Sequence, residues 1–307
     1  MMMIFALCLL LALSLLTRTS AFGFDFFSRT NQGNVTLPSS QADAAARGWQ
    51  LARREDGSPC REDLGFEYTE GADTHSRARP LSLFFNAAGQ LSGLSVRAWF
   101  ESDTSFNPLW WQQPAFGADA DGGSRWVTVS TRAPAEACSQ AAAGSVGSAS
   151  GAASTGDLLG DRLAVNGGQL LVPTEAPADP QGAWKRGACM ANMSQHWGYP
   201  LDGQESSLLG PQHGTGVLPI NPMYSVPAGS GHGRVTALAF FTTEPQLTQR
   251  DGGVWDASGT PAQLCAGNYC VDAKQCEFGA SNSVFHVFFV DQWAAEAQCE
   301  PVGSPGC

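Results

Sequence analysis

The chain has 307 residues, a net charge of −11, 43% hydrophobic residues and 15% charged residues. That is enough chain for two ordinary domains and enough apolar content for a packed core. The acidic balance argues against a nucleic-acid partner, which needs a basic face, and the sequence holds no EF-hand loop for calcium.

In chain order, Ile4 to Leu16 is one apolar run that stops at Thr17-Arg18, too short to span a bilayer. Thr19-Ser20-Ala21 offers small residues for a signal-peptidase cut after Ala21. Residues 1–21 therefore read as a signal peptide, and the mature chain is expected to be secreted, with no membrane partner once the signal is removed. Ala21-Phe22 also resembles the Ala-Phe junction of two-part plastid leaders in algae with secondary plastids. A transit peptide rich in Ser, Thr and Arg should follow such a junction. Only about ten residues precede the first repeated unit, so plastid import stands as the alternative to secretion.

The rest of the chain reads as two copies of one unit. Val35-Thr36-Leu37-Pro38 opens the first and Leu170-Leu171-Val172-Pro173 the second, and Trp49 and Trp184 each follow the proline by eleven positions. Ser39-Ser40 followed by strong helix formers and ending at Gly48 predicts a short helix. Its counterpart carries Pro177 and Pro180 and holds at most one turn. A cysteine motif comes next. Cys60-Arg61-Glu62-Asp63-Leu64-Gly65-Phe66-Glu67-Tyr68 matches Cys189-Met190-Ala191-Asn192-Met193-Ser194-Gln195-His196-Trp197, which places His196 on Glu67. Pro80 to Asn86 and Pro219 to Ser225 predict strands, each turning back into a return strand, Gln90 to Phe100 and Arg234 to Phe241. From Gly89/Gly233 to Trp111/Trp255 the offset stays at 144 without a gap. The last shared strand is Ser124 to Thr131 against Ser283 to Val290, an alignment that sets His286 opposite Val127.

The expected fold class is α+β: two tandem homologous units, each a mainly antiparallel sheet with a short helix and an intra-unit disulfide. The boundaries are 31–138 for unit one, 139–160 for an Ala/Gly/Ser-rich linker and 161–307 for unit two. Eight cysteines remain after the signal peptide leaves, an even number suited to an oxidising compartment. The repeat pairs Cys60 with Cys138 and Cys189 with Cys299. Cys265, Cys270, Cys276 and Cys307 belong to unit two alone and allow three pairings. A zinc site is the competing reading for them, against which stand their non-standard spacing and the export signal. Asn34-Val35-Thr36 and Asn192-Met193-Ser194 are glycosylation acceptors, so a glycoprotein is expected.

No nucleophile elbow, His-Glu-x-x-His, phosphate loop or dinucleotide fingerprint is present. Unit two carries His196, His213, His232 and His286, and unit one only His75. His286 lies on a strand apolar on both faces, which predicts that it is buried and needs a hydrogen-bond partner or a metal. One reading gives unit two a catalytic site of His196 and His286 with Tyr199 nearby, the histidines acting as acid/base groups or as metal ligands. In the plainer reading His286 satisfies a backbone carbonyl and His196 sits on a wet turn. Trp110, Trp111 and Trp197 suit stacking on sugar rings, or plain packing under a loop. The sequence thus leads to a secreted, disulfide-bonded two-repeat protein that binds a glycan or small polar ligand. Its alternative is a secreted enzyme built on His196 and His286 in the second unit, with metal assistance as one option and the cofactor left open. A structural coat component has little support, because long low-complexity tracts are missing.

Overall fold

The computed structural model describes residues 27–30, 33–52, 57–71, 79–99, 117–118, 124–130, 137–138, 162–165, 170–177, 184–190, 194–198, 220–225, 233–242, 255–257 and 283–289. Within them nearly everything is antiparallel sheet. The single described helix, α1 (Gln41–Ala46), begins where Ser40 accepts a hydrogen bond from the Asp43 amide at 3.2 Å, and Gly48 follows it at φ +81°. The expected α+β class is therefore, among the described residues, a sheet-rich fold with one short helix.

The first sheet contains β3 (Trp49–Leu51), β4 (Cys60–Arg61), β5 (Gly65–Glu70), β6 (Leu81–Phe85), β7 (Leu91–Trp99), β8 (Gly117–Ala118), β9 (Ser124–Ser130), β10 (Arg162–Val165) and β11 (Leu170–Pro173). Its strand order is β11-β10-β9-β7-β6-β5-β3, with β4 on β5 and β8 on β9. The second contains β1 (Phe27–Thr30), β2 (Gly33–Thr36), β12 (Lys185–Met190), β13 (Ser194–Gly198), β14 (Ile220–Ser225), β15 (Arg234–Thr242), β16 (Asp256–Ala257) and β17 (Ser283–Phe288). Its order is β12-β13-β14-β15-β17-β1-β2, with β16 on β17.

Side chains alternate across each strand. Leu81, Leu83, Phe85, Leu94, Val96, Val127 and Val129 enter one buried cluster, which Trp197, Tyr224, Leu238, Phe240, Phe285 and Val287 join from the second sheet. The two sheets therefore share a core. The opposite face of the second sheet is buried too, with Met223, Ala237, Ala239, Val284 and Phe288 in a cluster of their own.

Pairing for pairing, the two sheets have the same register. Cys60↔Phe66 corresponds to Cys189↔Gln195, and Glu67↔Phe84 to His196↔Met223. Ser92 and Thr236 are the extra residues of matching bulges in β7 and β15. Gly65 at φ +105° and Ser194 at φ +64° occupy the same place in the motif. At the last strand the ladders correct the sequence alignment by one residue. Ser95↔Thr128 corresponds to Ala239↔His286, so the counterpart of His286 is Thr128 and not Val127. A one-residue slip moves every side chain to the other face. Val127 faces the shared core, as Phe285 does.

The sheets cut across the expected unit boundaries. The hairpin β1–β2, whose second strand opens unit one, pairs with β17 of unit two, whereas β10–β11, at the start of unit two, pairs with β9 of unit one. Cys60 and Cys138 are joined, with Cα atoms 6.0 Å apart. Cys299, Cys265, Cys270, Cys276 and Cys307 lie outside the described residues. No described helix is long and apolar enough to cross a membrane.

Candidate functional site

The face of the second sheet turned away from the shared core carries the polar groups of interest. The ladders set its residues in rows. One row runs His196 (β13), Met223 (β14), Ala237 (β15), Phe288 (β17). The next runs Asn221 (β14), Ala239 (β15), His286 (β17). His196, Asn221 and His286 are 1%, 2% and 5% exposed. The His286 ring stacks on Phe288, with centroids 6.0 Å apart.

His286 is buried in its strand, as its two apolar faces predict. His196 is buried inside β13 rather than on a wet turn. The two histidines share a face but not a site. Three interstrand spacings and two residues along the strand separate them, about 16 Å between Cα atoms. Zinc–nitrogen bonds of about 2 Å cannot bring two such imidazoles onto one ion. Among the described residues no group of three or more His, Cys, Asp or Glu could hold a metal.

Trp197, expected at a ligand surface, points the other way. It is 4% exposed in the shared core and meets the Tyr224 ring edge-on at 6.1 Å. The reason is strand alternation: its neighbour His196 takes the outer face. Tyr199, Trp110 and Trp111 lie outside the described residues, as do His75, His213, His232 and Asn192.

The residue that sequence reasoning missed is Asn221. Among the described residues its Oδ1 is buried with no hydrogen-bond partner. A buried acceptor left in this state costs about 1–3 kcal/mol. Asn221 and His286 flank Ala239 at about 10 Å between their Cα atoms, two strand spacings, and the single methyl group of Ala239 lies between them. The signal was available in the sequence. Ile220-Asn221-Pro222-Met223 sets one amide within a buried apolar strand, opposite Ser82 of unit one.

The equivalent row of the first sheet is Ser82, Ser95, Thr128, three small hydroxyl residues. Close by, that sheet is closed by its own motif. Leu64 packs so near Gly93 that a Cβ there would lie 2.8 Å from Leu64 Cδ2, and Arg61 sits over the Phe84 ring at 5.6 Å. Ala237 and Met223 stand where Gly93 and Phe84 do. No protein-family model matches the chain, and no curated protein or solved structure is similar to it.

Proposed function

We propose that this is an exported protein of two homologous units that binds a small polar ligand, a sugar foremost, enclosed against the buried face of its second sheet that is turned away from the shared core. The duplication is supported by the matched ladders, and one disulfide per unit by the equivalence of Cys60 and Cys138 to Cys189 and Cys299. Export is supported by the apolar leader, and glycosylation by the acceptor at Asn34. The observation that carries the ligand reading is Asn221 Oδ1. A buried acceptor is retained where something donates to it, and a sugar hydroxyl does so while the His286 imidazole takes a second contact across Ala239. The first unit, with Ser82, Ser95 and Thr128 in that row, serves as the scaffold copy. Joint acid–base or shared-metal chemistry by His196 and His286 needs their rings together, and two strands, β14 and β15, lie between theirs.

The test is calorimetric titration of the full chain with glucose, galactose, mannose and N-acetylglucosamine. The wild type should bind at least one of them, and Asn221→Leu and His286→Leu should each weaken that binding at least tenfold. Asn221→Leu should also raise stability by about 1 kcal/mol in the ligand-free protein, because it removes an acceptor without a partner among the described residues while keeping the volume. Silence across the four sugars, or Asn221→Leu with unchanged affinity, would sink the reading.

A further inference from the structure

The two halves of the chain exchange their opening hairpins, and the exchange is reciprocal in detail. Phe27↔Phe288 and Ser28↔Val287 join the first hairpin to the second sheet. Ala164↔Ser130 and Val165↔Val129 join the second hairpin to the first sheet in the same register. After its hairpin each segment crosses back to the sheet of its own unit, through Leu37-Pro38 in one case and Val172-Pro173 in the other. The Gln41 amide donates to the Gly89 carbonyl at 2.9 Å, and the Ala176 amide to the Gly233 carbonyl at 2.6 Å. Isolated bridges Ser40↔Gln90 and Glu175↔Arg234 repeat the match. Leu37 and Val172, on the two crossings, are both buried in the shared core.

We infer that the surface each half offers at its last strand fits the opening hairpin of the other half, and that this interface holds the halves together without the covalent connection between them. Reciprocal contacts of this kind close on themselves, as in a strand-exchanged dimer. Each half gains a two-strand ladder from the other, and both contribute to one apolar core. Ser139 to Thr155 is nearly all Ala, Gly and Ser and brings almost no apolar surface to bury. The Cys60–Cys138 bond lies wholly on one side of that stretch and cannot tie the halves. This inference does not depend on the ligand reading.

The experiment inserts a specific protease site between residues 139 and 160 of the full chain and cleaves the folded protein. Native mass spectrometry should show both pieces in one species, and denaturant should release them. A second measurement separates exchange from simple packing of two self-contained halves. Ser130→Cys with Ala164→Cys should form a disulfide that links the two pieces after cleavage, mapped by peptide mass spectrometry. If each hairpin sat on its own sheet, Phe27→Cys would bond Ser130→Cys instead, within one piece. Separation of the pieces under native conditions, or the Phe27–Ser130 bond in place of the Ala164–Ser130 bond, overturns the inference.

Discussion

Ser194 holds a backbone conformation that its counterpart Gly65 holds without a side chain. At φ +64° the serine is in a region that non-glycine residues enter at a cost, and its hydroxyl lies 3.3 Å from Thr236 Oγ1. Gly65 has no such freedom, since a Cβ there would run into the Phe85 carbonyl oxygen. Gly65→Ala should therefore lower stability by about 2–4 kcal/mol in denaturant unfolding, more than the usual cost of an L-residue at positive φ. Tyr224 gives a pH test. Its hydroxyl donates to the Pro173 carbonyl at 2.6 Å, and burial pushes its ionisation well above the ordinary 10.0. The folded state thus keeps a proton that the unfolded chain gives up near pH 10. The stabilisation is complete below that pH and falls as pH rises above it, by up to about 1.4 kcal/mol per pH unit. Tyr224→Phe should cost about 1 kcal/mol at pH 7 through the lost hydrogen bond, and its deficit against wild type should shrink between pH 10 and 11.5. A constant deficit would refute this account. At this scale the sequence was legible where a residue type forces its surroundings. His286 on a doubly apolar strand had to be buried. Asn221 was equally forced but was passed over, and the place of His196 relative to His286 depended on two intervening strands that local pattern does not count.

At the scale of elements, turns and caps were the most readable parts. Asn86 accepts hydrogen bonds from the Ala88 and Gln90 amides at 3.0 and 2.9 Å, and Gly89 takes φ +75°, so the turn Ala87-Ala88-Gly89 carries its own chemistry. The Ser40 cap is of the same kind, and Ser40→Ala should cost about 1 kcal/mol, measurable by denaturant unfolding. Register was less readable. Trp126-Val127-Thr128 can be slid against Val284-Phe285-His286 by one place with little change in residue character, and only the facing of Val127 and Phe285 toward the core decides it. The bond between Cys60 and Cys138 closes a loop with a sequence separation of 78. In the chain-entropy model that closure contributes about 4–5 kcal/mol. Cys60→Ala with Cys138→Ala should lose most of it, and a loss under about 1 kcal/mol would show that the closed loop is not what stabilises the first sheet.

For the molecule as a whole, the strand content and hairpins followed from local pattern, but which sheet each opening hairpin joins did not. Both last strands, β9 and β17, take a hairpin in the same register, so register alone does not choose between them. Each hairpin pairs with the sheet of the other half, and the chain then crosses back to its own sheet at Pro38 or Pro173. Deleting residues 22–36 should accordingly raise amide hydrogen exchange at β17, in the other unit, and leave β9 protected. The opposite pattern would mean that each hairpin serves its own half.

The place of the first hairpin also sets a timetable for synthesis. About 260 residues separate Phe27 from its partner Phe288. At 5–20 residues per second, the ribosome delivers the second roughly 10–50 s after the first. Strands β1 and β2 are thus made long before the strand that joins them to their sheet. Through that interval the β1–β2 hairpin is without the β17 edge against which it pairs.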